Sequence, residues 1–198
     1  MDLQANDAQT HFNCGKALFE QGRKDDAARE FQEAFRIDPK HAEAHNWLGL
    51  VYMQKEQLKE AFREFQVAIQ LDPGLAAAHS NLGTIYATRG YIDNALSEYQ
   101  VAIRLDPNSV LTHYAVADLY YDQRNLDTAI REYQTVICLE PEFARAHYSL
   151  ALAYDDQMRF DEAISEAEQA LRLGYEPAQE LLDVAKMEAE IARRNVAG

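Results

Sequence analysis

Apolar positions in this chain recur with a helical period, and that period itself repeats every 34 residues. Number the repeats from Ala8, Ala42, Ala76, Val110 and Ala144. Position 7 is then Cys14, Leu48, Leu82, Val116 and Leu150; position 8 is Gly15, Gly49, Gly83, Ala117 and Ala151. Position 11 is Leu18 followed by Tyr52, Tyr86, Tyr120 and Tyr154. Positions 4, 7, 8 and 11 fall on one stripe of a first helix. Position 20 is alanine in every repeat, position 24 is Phe31, Phe65, Tyr99, Tyr133 and Ala167, and position 27 is small. Positions 20, 24, 27 and 28 make the stripe of a second helix. Small residues at 8 and 20 let the two helices approach, and the rings at 11 and 24 fill the space beside them.

Punctuation follows the same period. Pro39, Pro73, Pro107 and Pro141 each follow an acid, and proline disfavours helix in the residue before it, so the second helix ends there. Gly22, Gly90 and the polar run Gln123-Arg124-Asn125 mark breaks between the paired helices. The expected architecture is all-α, an α-solenoid of antiparallel helix pairs in which only neighbouring repeats touch. Residues 1–7 read as a lead, 8–41, 42–75, 76–109, 110–143 and 144–176 as five repeats, and 177–198 as a capping helix and tail. In that last segment Pro177 opens a helix and Arg193-Arg194 close it, which suits helix polarity. Leu181, Leu182, Ala185, Glu188 and Ala192 share one side, so the outer face is expected to be polar, as a terminal cap requires.

This pattern resembles the tetratricopeptide repeat family from Ala8 to about Gly174, five units without insertion or deletion. The departures are His at position 4 in place of the more usual Trp, Cys14 where Leu is expected, Tyr175 in place of proline, and Ala167 in place of a ring. The resemblance implies a right-handed superhelix whose first helices line a concave groove for peptide segments, through exposed positions 2, 5, 6, 9, 12 and 13.

Those positions divide the expected groove in two. One half holds Phe12 and Lys16, Asn46 and Trp47, Ser80 and Asn81. Trp47 is the single tryptophan and an aromatic anchor of the kind that dominates interfaces, set against the alternative that it packs on the neighbouring repeat. Asn46 and Asn81 both donate and accept, which suits an extended peptide backbone. The other half holds Tyr114, Asp118, Tyr121 and Asp122, then Arg145, Tyr148, Asp155 and Asp156. Acids among tyrosines suit a Lys- or Arg-bearing segment; a solvated acidic face is the plain alternative. Some relatives clamp an acidic C-terminal tail with a Lys/Asn/Arg set. Phe12, Lys16, Trp47, Ala77 and Asn81 stand at those positions, so that mode is not expected.

Composition narrows the partner. The net charge of −14 disfavours nucleic acid and anionic membrane surfaces, which want a basic face. No run is long and apolar enough to span a bilayer and the N-terminus has no signal-peptide pattern, so the chain reads as cytoplasmic. Two cysteines make no disulfide framework; Cys14 reads as a small core residue and Cys138 as exposed. His11, His45, His79, His113 and His147 recur at position 4, and Glu30, Glu64, Glu98, Glu132 and Glu166 at position 23. A residue repeated in every unit serves the unit, so both series read as framework, with no metal or cofactor assigned. His41 and His45 are four apart and could share a divalent metal, but two ligands make a weak site. No catalytic constellation is present, which leaves three readings. The first is a module that binds a protein or peptide partner, with a basic segment expected. The second is a scaffold that associates with itself through an uncovered first repeat, and the third is a targeting region of a larger enzyme.

Overall fold

The computed structural model describes the backbone of residues 3–197 and the side chains of residues 7–194. All regular structure among them is α-helical, in the order α1 (Leu3–Glu20), α2 (Lys24–Ile37), α3 (Ala42–Gln54), α4 (Leu58–Leu71), α5 (Ala76–Thr88), α6 (Ile92–Leu105), α7 (Val110–Asp122), α8 (Leu126–Leu139), α9 (Ala144–Asp156), α10 (Phe160–Arg172) and α11 (Ala178–Ala197). From α3 onward every first helix starts on the first position read from the sequence. α1 starts earlier, so residues 3–7 of the expected lead are helical.

The chain forms two compact units, Met1–Pro107 and Asn108–Gly198. In the first, α1, α3 and α5 pack on α2, α4 and α6 as pairs, α2 meets α3 and α4 meets α5, and the first helices touch one another. In the second, α7 pairs with α8 and α9 with α10; α8 meets α9, and α11 packs on α10 and α9. Each unit is thus a stretch of helix-pair solenoid with its first helices side by side.

The small residues at position 8 are required by contact. A Cβ added at Gly49 would lie 2.5 Å from the Phe65 ring, and one at Gly15 2.6 Å from Phe31. Phe31, Phe65, Tyr99 and Tyr133 at position 24 are fully buried, each adding roughly 1.5–3 kcal/mol of apolar burial. Two of the acids that precede the prolines also have a task. Asp38 Oδ1 accepts from the Lys40 backbone N–H at 3.1 Å and Asp72 Oδ1 from that of Gly74 at 2.9 Å, turning the chain into the next pair.

The two framework series meet each other. In every repeat the histidine Nδ1 lies 2.6–2.8 Å from the Oε2 of the glutamate 19 residues on, from His11–Glu30 to His147–Glu166. For His79 and His147, Nε2 also lies 3.2 and 3.0 Å from the carbonyl oxygens of Pro73 and Pro141. Position 4 thereby ties the first helix to the second and, in these two repeats, to the preceding turn.

Two expectations are corrected. Cys14 is exposed, not core. Leu48 at the same position packs toward the first helix pair, in the cluster with Phe31 and Ala34, whereas no helix among the described residues packs on that side of Cys14. The outer face of α11 is not wholly polar. Ala178, Leu181, Leu182, Ala185 and Ala189 are buried, while Val184, Met187 and Ile191 stand 37%, 56% and 49% exposed.

Candidate functional site

In the first unit the expected groove residues are largely spent on one another. Phe12 is buried, its ring 4.7 Å from that of His41 and 6.0 Å from Phe31. Asn46 is buried as well, and its Oδ1 accepts from Asn81 Nδ2 at 2.9 Å. Position 5 was expected to be exposed; the neighbouring first helix covers it here, and covers Tyr114 in the second unit. Trp47 stacks on Phe31 and meets Phe19 edge-on at 5.4 Å, so it bridges two repeats. The Lys16 ammonium lies 5.2 Å from the Trp47 ring and 5.8 Å from that of Phe12. Ser80 is half-buried, and its carbonyl accepts from Thr84 Oγ1. One amide hydrogen bond thus links the asparagines of neighbouring first helices, and Lys16 sits on the rings of Trp47 and Phe12.

His41 and His45 are engaged apart. His41 caps α3, its Nδ1 accepting weakly from the Ala44 N–H, while His45 stacks on Phe35 and pairs with Glu64. Among the described residues no group of three His, Cys, Asp or Glu side chains is placed to hold a metal ion.

The second unit differs. Tyr114, Asp118, Tyr121, Arg145 and Tyr148 of the expected set line one cavity of ≈ 210 Å³. Asp122 and Asp155 do not line it. Tyr133, Ser149, Leu152 and Tyr175, which the sequence reading did not assign to the site, complete it. The signal for Tyr133 lay in the repeat. Position 24 changes from phenylalanine in the first two repeats to tyrosine in the next two, and the added hydroxyl reaches position 9, as Thr84 for Tyr99 and Asp118 for Tyr133. Tyr175 stands where the other repeats have proline, and its ring lies 5.0 Å from Tyr148.

The polar groups form a chain around Asp118. Tyr133 Oη donates to Asp118 Oδ1 at 2.7 Å, and Tyr114 Oη shares a 2.8 Å hydrogen bond with Ser149 Oγ. Burial raises the Asp118 carboxyl above the ordinary aspartate range, although hydrogen bonding from Tyr133 and the charge of Arg145 oppose it. Burial also raises the phenols of Tyr114 and Tyr133, and raises Tyr121 to about 12 with help from Asp156. These rings stay neutral over the physiological range and act as donors. The Arg145 guanidinium is exposed and lies 5.3 Å from the centre of the Tyr114 ring. The cavity therefore has an aromatic wall, one desolvated carboxylate beside it and a cation on its rim. Asp155 lies outside, half-buried against Glu188 of α11; its Oδ1 has no hydrogen-bond partner and its carboxyl is raised by burial and then by Glu188.

The tetratricopeptide repeat model matches residues 14–76 and 114–177, and a second TPR repeat model matches residues 84–123. Among curated proteins no match is found. Among solved structures the chain is similar to MamA, with 27% identity over 83% of this chain and 96% of that one and a TM-score of 0.69. It is similar in fold to a thermophilic TPR protein of Thermus thermophilus, at 22% identity, 92% and 98% coverage and a TM-score of 0.71. It is likewise similar in fold to YrrB, a TPR protein with an unusual peptide-binding site, at 24% identity, 91% and 92% coverage and a TM-score of 0.66.

Proposed function

The chain belongs to the tetratricopeptide repeat family, whose fold serves as a protein–protein interaction module, and from that premise we propose that its second unit holds a basic side chain of a partner protein. The guest enters the cavity of Tyr114, Asp118, Tyr121 and Tyr148 as part of an extended segment lying across the first helices. One observation carries this reading. Asp118 is a carboxylate whose charged form is disfavoured by burial and which faces an aromatic cavity. A lysine or arginine there adds to the Arg145 charge that already favours the ionised carboxylate, and it stacks on the tyrosine faces. Arg145 already stacks on Tyr114 from within the chain and favours the ionised form of Asp118, which supports a cationic guest. The surroundings agree in sign, since acids outnumber bases about two to one over residues 108–198.

The test uses fluorescent peptides of matched length, one lysine- and arginine-bearing and one glutamate-bearing, titrated with the full chain. The basic peptide is expected to bind preferentially. Asp118→Asn and Tyr148→Ala, each checked for unchanged helicity, are expected to weaken it about tenfold. Equal binding of both peptides, or undiminished binding to both folded variants, would sink the reading. Similarity to a TPR protein with an unusual peptide-binding site supports peptide capture as a use of this fold.

A further inference from the structure

The outward face of α11 is ordered as a pairing seam. Glu180, Val184, Met187, Ile191 and Arg194 are spaced four, three, four and three apart. At about 100° per residue they fall within a strip about 80° wide, the a/d pattern of a two-stranded coiled coil. All five are exposed, the three apolar members among them, while the opposite side of the helix is buried on α10 and α9. Burial of Leu181, Leu182, Ala185 and Ala189 sets this rotation and turns the stripe outward. Two exposed ion pairs onto α10 agree with it, Lys186 Nζ to Glu168 Oε1 at 3.1 Å and Arg193 Nη2 to Asp161 Oδ1 at 2.6 Å.

We propose that this face binds the same face of a second copy, with the two α11 helices antiparallel about a two-fold axis near Met187. The charges choose the occupant and its direction. The seam is acidic at its start, with Glu180 and Asp183, and ends in Arg194. Glu180 and Arg194 lie seven residues either side of Met187, about 10 Å along the axis in each direction. An antiparallel copy sets each Glu180 level with the other chain's Arg194, brings Val184 close to Ile191, and puts Met187 on Met187. A parallel copy would stack acid on acid and base on base. Self-complementarity about one axis is what a closed two-fold dimer needs. Arg194 also pairs with Glu190 within its own helix, which keeps its guanidinium on the flank of the seam. Self-association thus belongs to the last helix here and not to the first repeat. No large apolar side chain among the described residues of α1 is exposed.

The test is sedimentation equilibrium of the full chain from about 1 μM to about 1 mM, a range that spans weak pairing. A monomer–dimer equilibrium is expected. Met187→Lys combined with Ile191→Lys is expected to be monomeric throughout with unchanged circular dichroism. Glu180→Arg alone and Arg194→Glu alone are each expected to weaken pairing about tenfold, and the two together to restore it to within a few-fold. A chain monomeric at every concentration overturns the proposal. So does a dimer that survives the lysine pair, or a double reversal weaker than either single one. The charge reversals decide the matter even where the lysine pair disturbs folding. The test is independent of peptide capture.

Discussion

The phenol of Tyr133 on α8 donates to Asp118 Oδ1 on α7 across 2.7 Å, and both side chains line the same cavity. The bond is charge-assisted whenever Asp118 is ionised, and such bonds are about twice as strong as neutral ones. Tyr133→Phe keeps the ring, which Phe31 and Phe65 show position 24 accepts, and removes only the donor. The expected loss is about 1–2 kcal/mol in denaturant unfolding at neutral pH. Tyr99→Phe, whose hydroxyl meets the neutral Thr84, is expected to lose less. Equal losses would show that the carboxylate does not use the phenol.

The recurrent histidines and glutamates give a second prediction. His79 Nδ1 meets Glu98 Oε2 at 2.7 Å, and the ring's other nitrogen faces Pro73. A double-mutant cycle of His79→Ala and Glu98→Ala is expected to show a coupling of about 1 kcal/mol. His147 with Glu166 is expected to behave alike, since the geometry is repeated. Strictly additive losses would reduce the pairs to bystanders.

These pairs also show what the one-dimensional pattern carries. Periodicity fixes which face of each helix is buried, so the pairing of helices, the small residues at position 8 and the framework role of position 4 were readable. That His11 meets Glu30 was not, because two series of constant spacing state a period and not a distance. The cavity was half readable. Tyr114, Asp118, Tyr121, Arg145 and Tyr148 sit on first-helix positions, as do Ser149 and Leu152, which the reading passed over, whereas Tyr133 arrives from the second helix and Tyr175 from the turn before α11. Assigning position 5 as exposed failed for Phe12, Asn46 and Tyr114, because contact between neighbouring first helices depends on side-chain length, which helical phase does not encode. Cys14 misled for the reverse reason: Leu48 at the same position is buried by the neighbouring helix pair, and helical phase does not say whether such a neighbour is there.

The turns between paired helices give a third prediction. Glu56 sits at φ 59° in a place where Gly22 and Gly90 hold the same conformation. A left-handed backbone costs an L-residue with a Cβ about 1–2 kcal/mol, partly offset by the entropy a glycine loses on folding. Glu56→Gly is therefore expected to raise stability by roughly 0.5–1 kcal/mol, read as a higher midpoint of thermal unfolding. Gly22→Ala is the converse and is expected to lower it. A destabilised Glu56→Gly would mean that its side chain holds the turn.

The last prediction concerns proton linkage at Asp118. Its folded carboxyl is raised, first by burial, so the folded protein holds this proton more tightly than the unfolded chain. The associated stability is present below the ordinary aspartate value of about 3.9 and is lost as pH rises through the raised value. Binding of a cation acts the other way, because it favours the ionised carboxylate. A lysine-bearing peptide is accordingly expected to bind more tightly as pH climbs from the ordinary aspartate value through the raised one, and to release a proton on binding there. Calorimetry in two buffers of different ionisation heat reads that release directly. The assignment rests on Asp118→Asn, which should flatten most of the pH dependence. An affinity that is level or falling over that range would place the guest's charge away from Asp118.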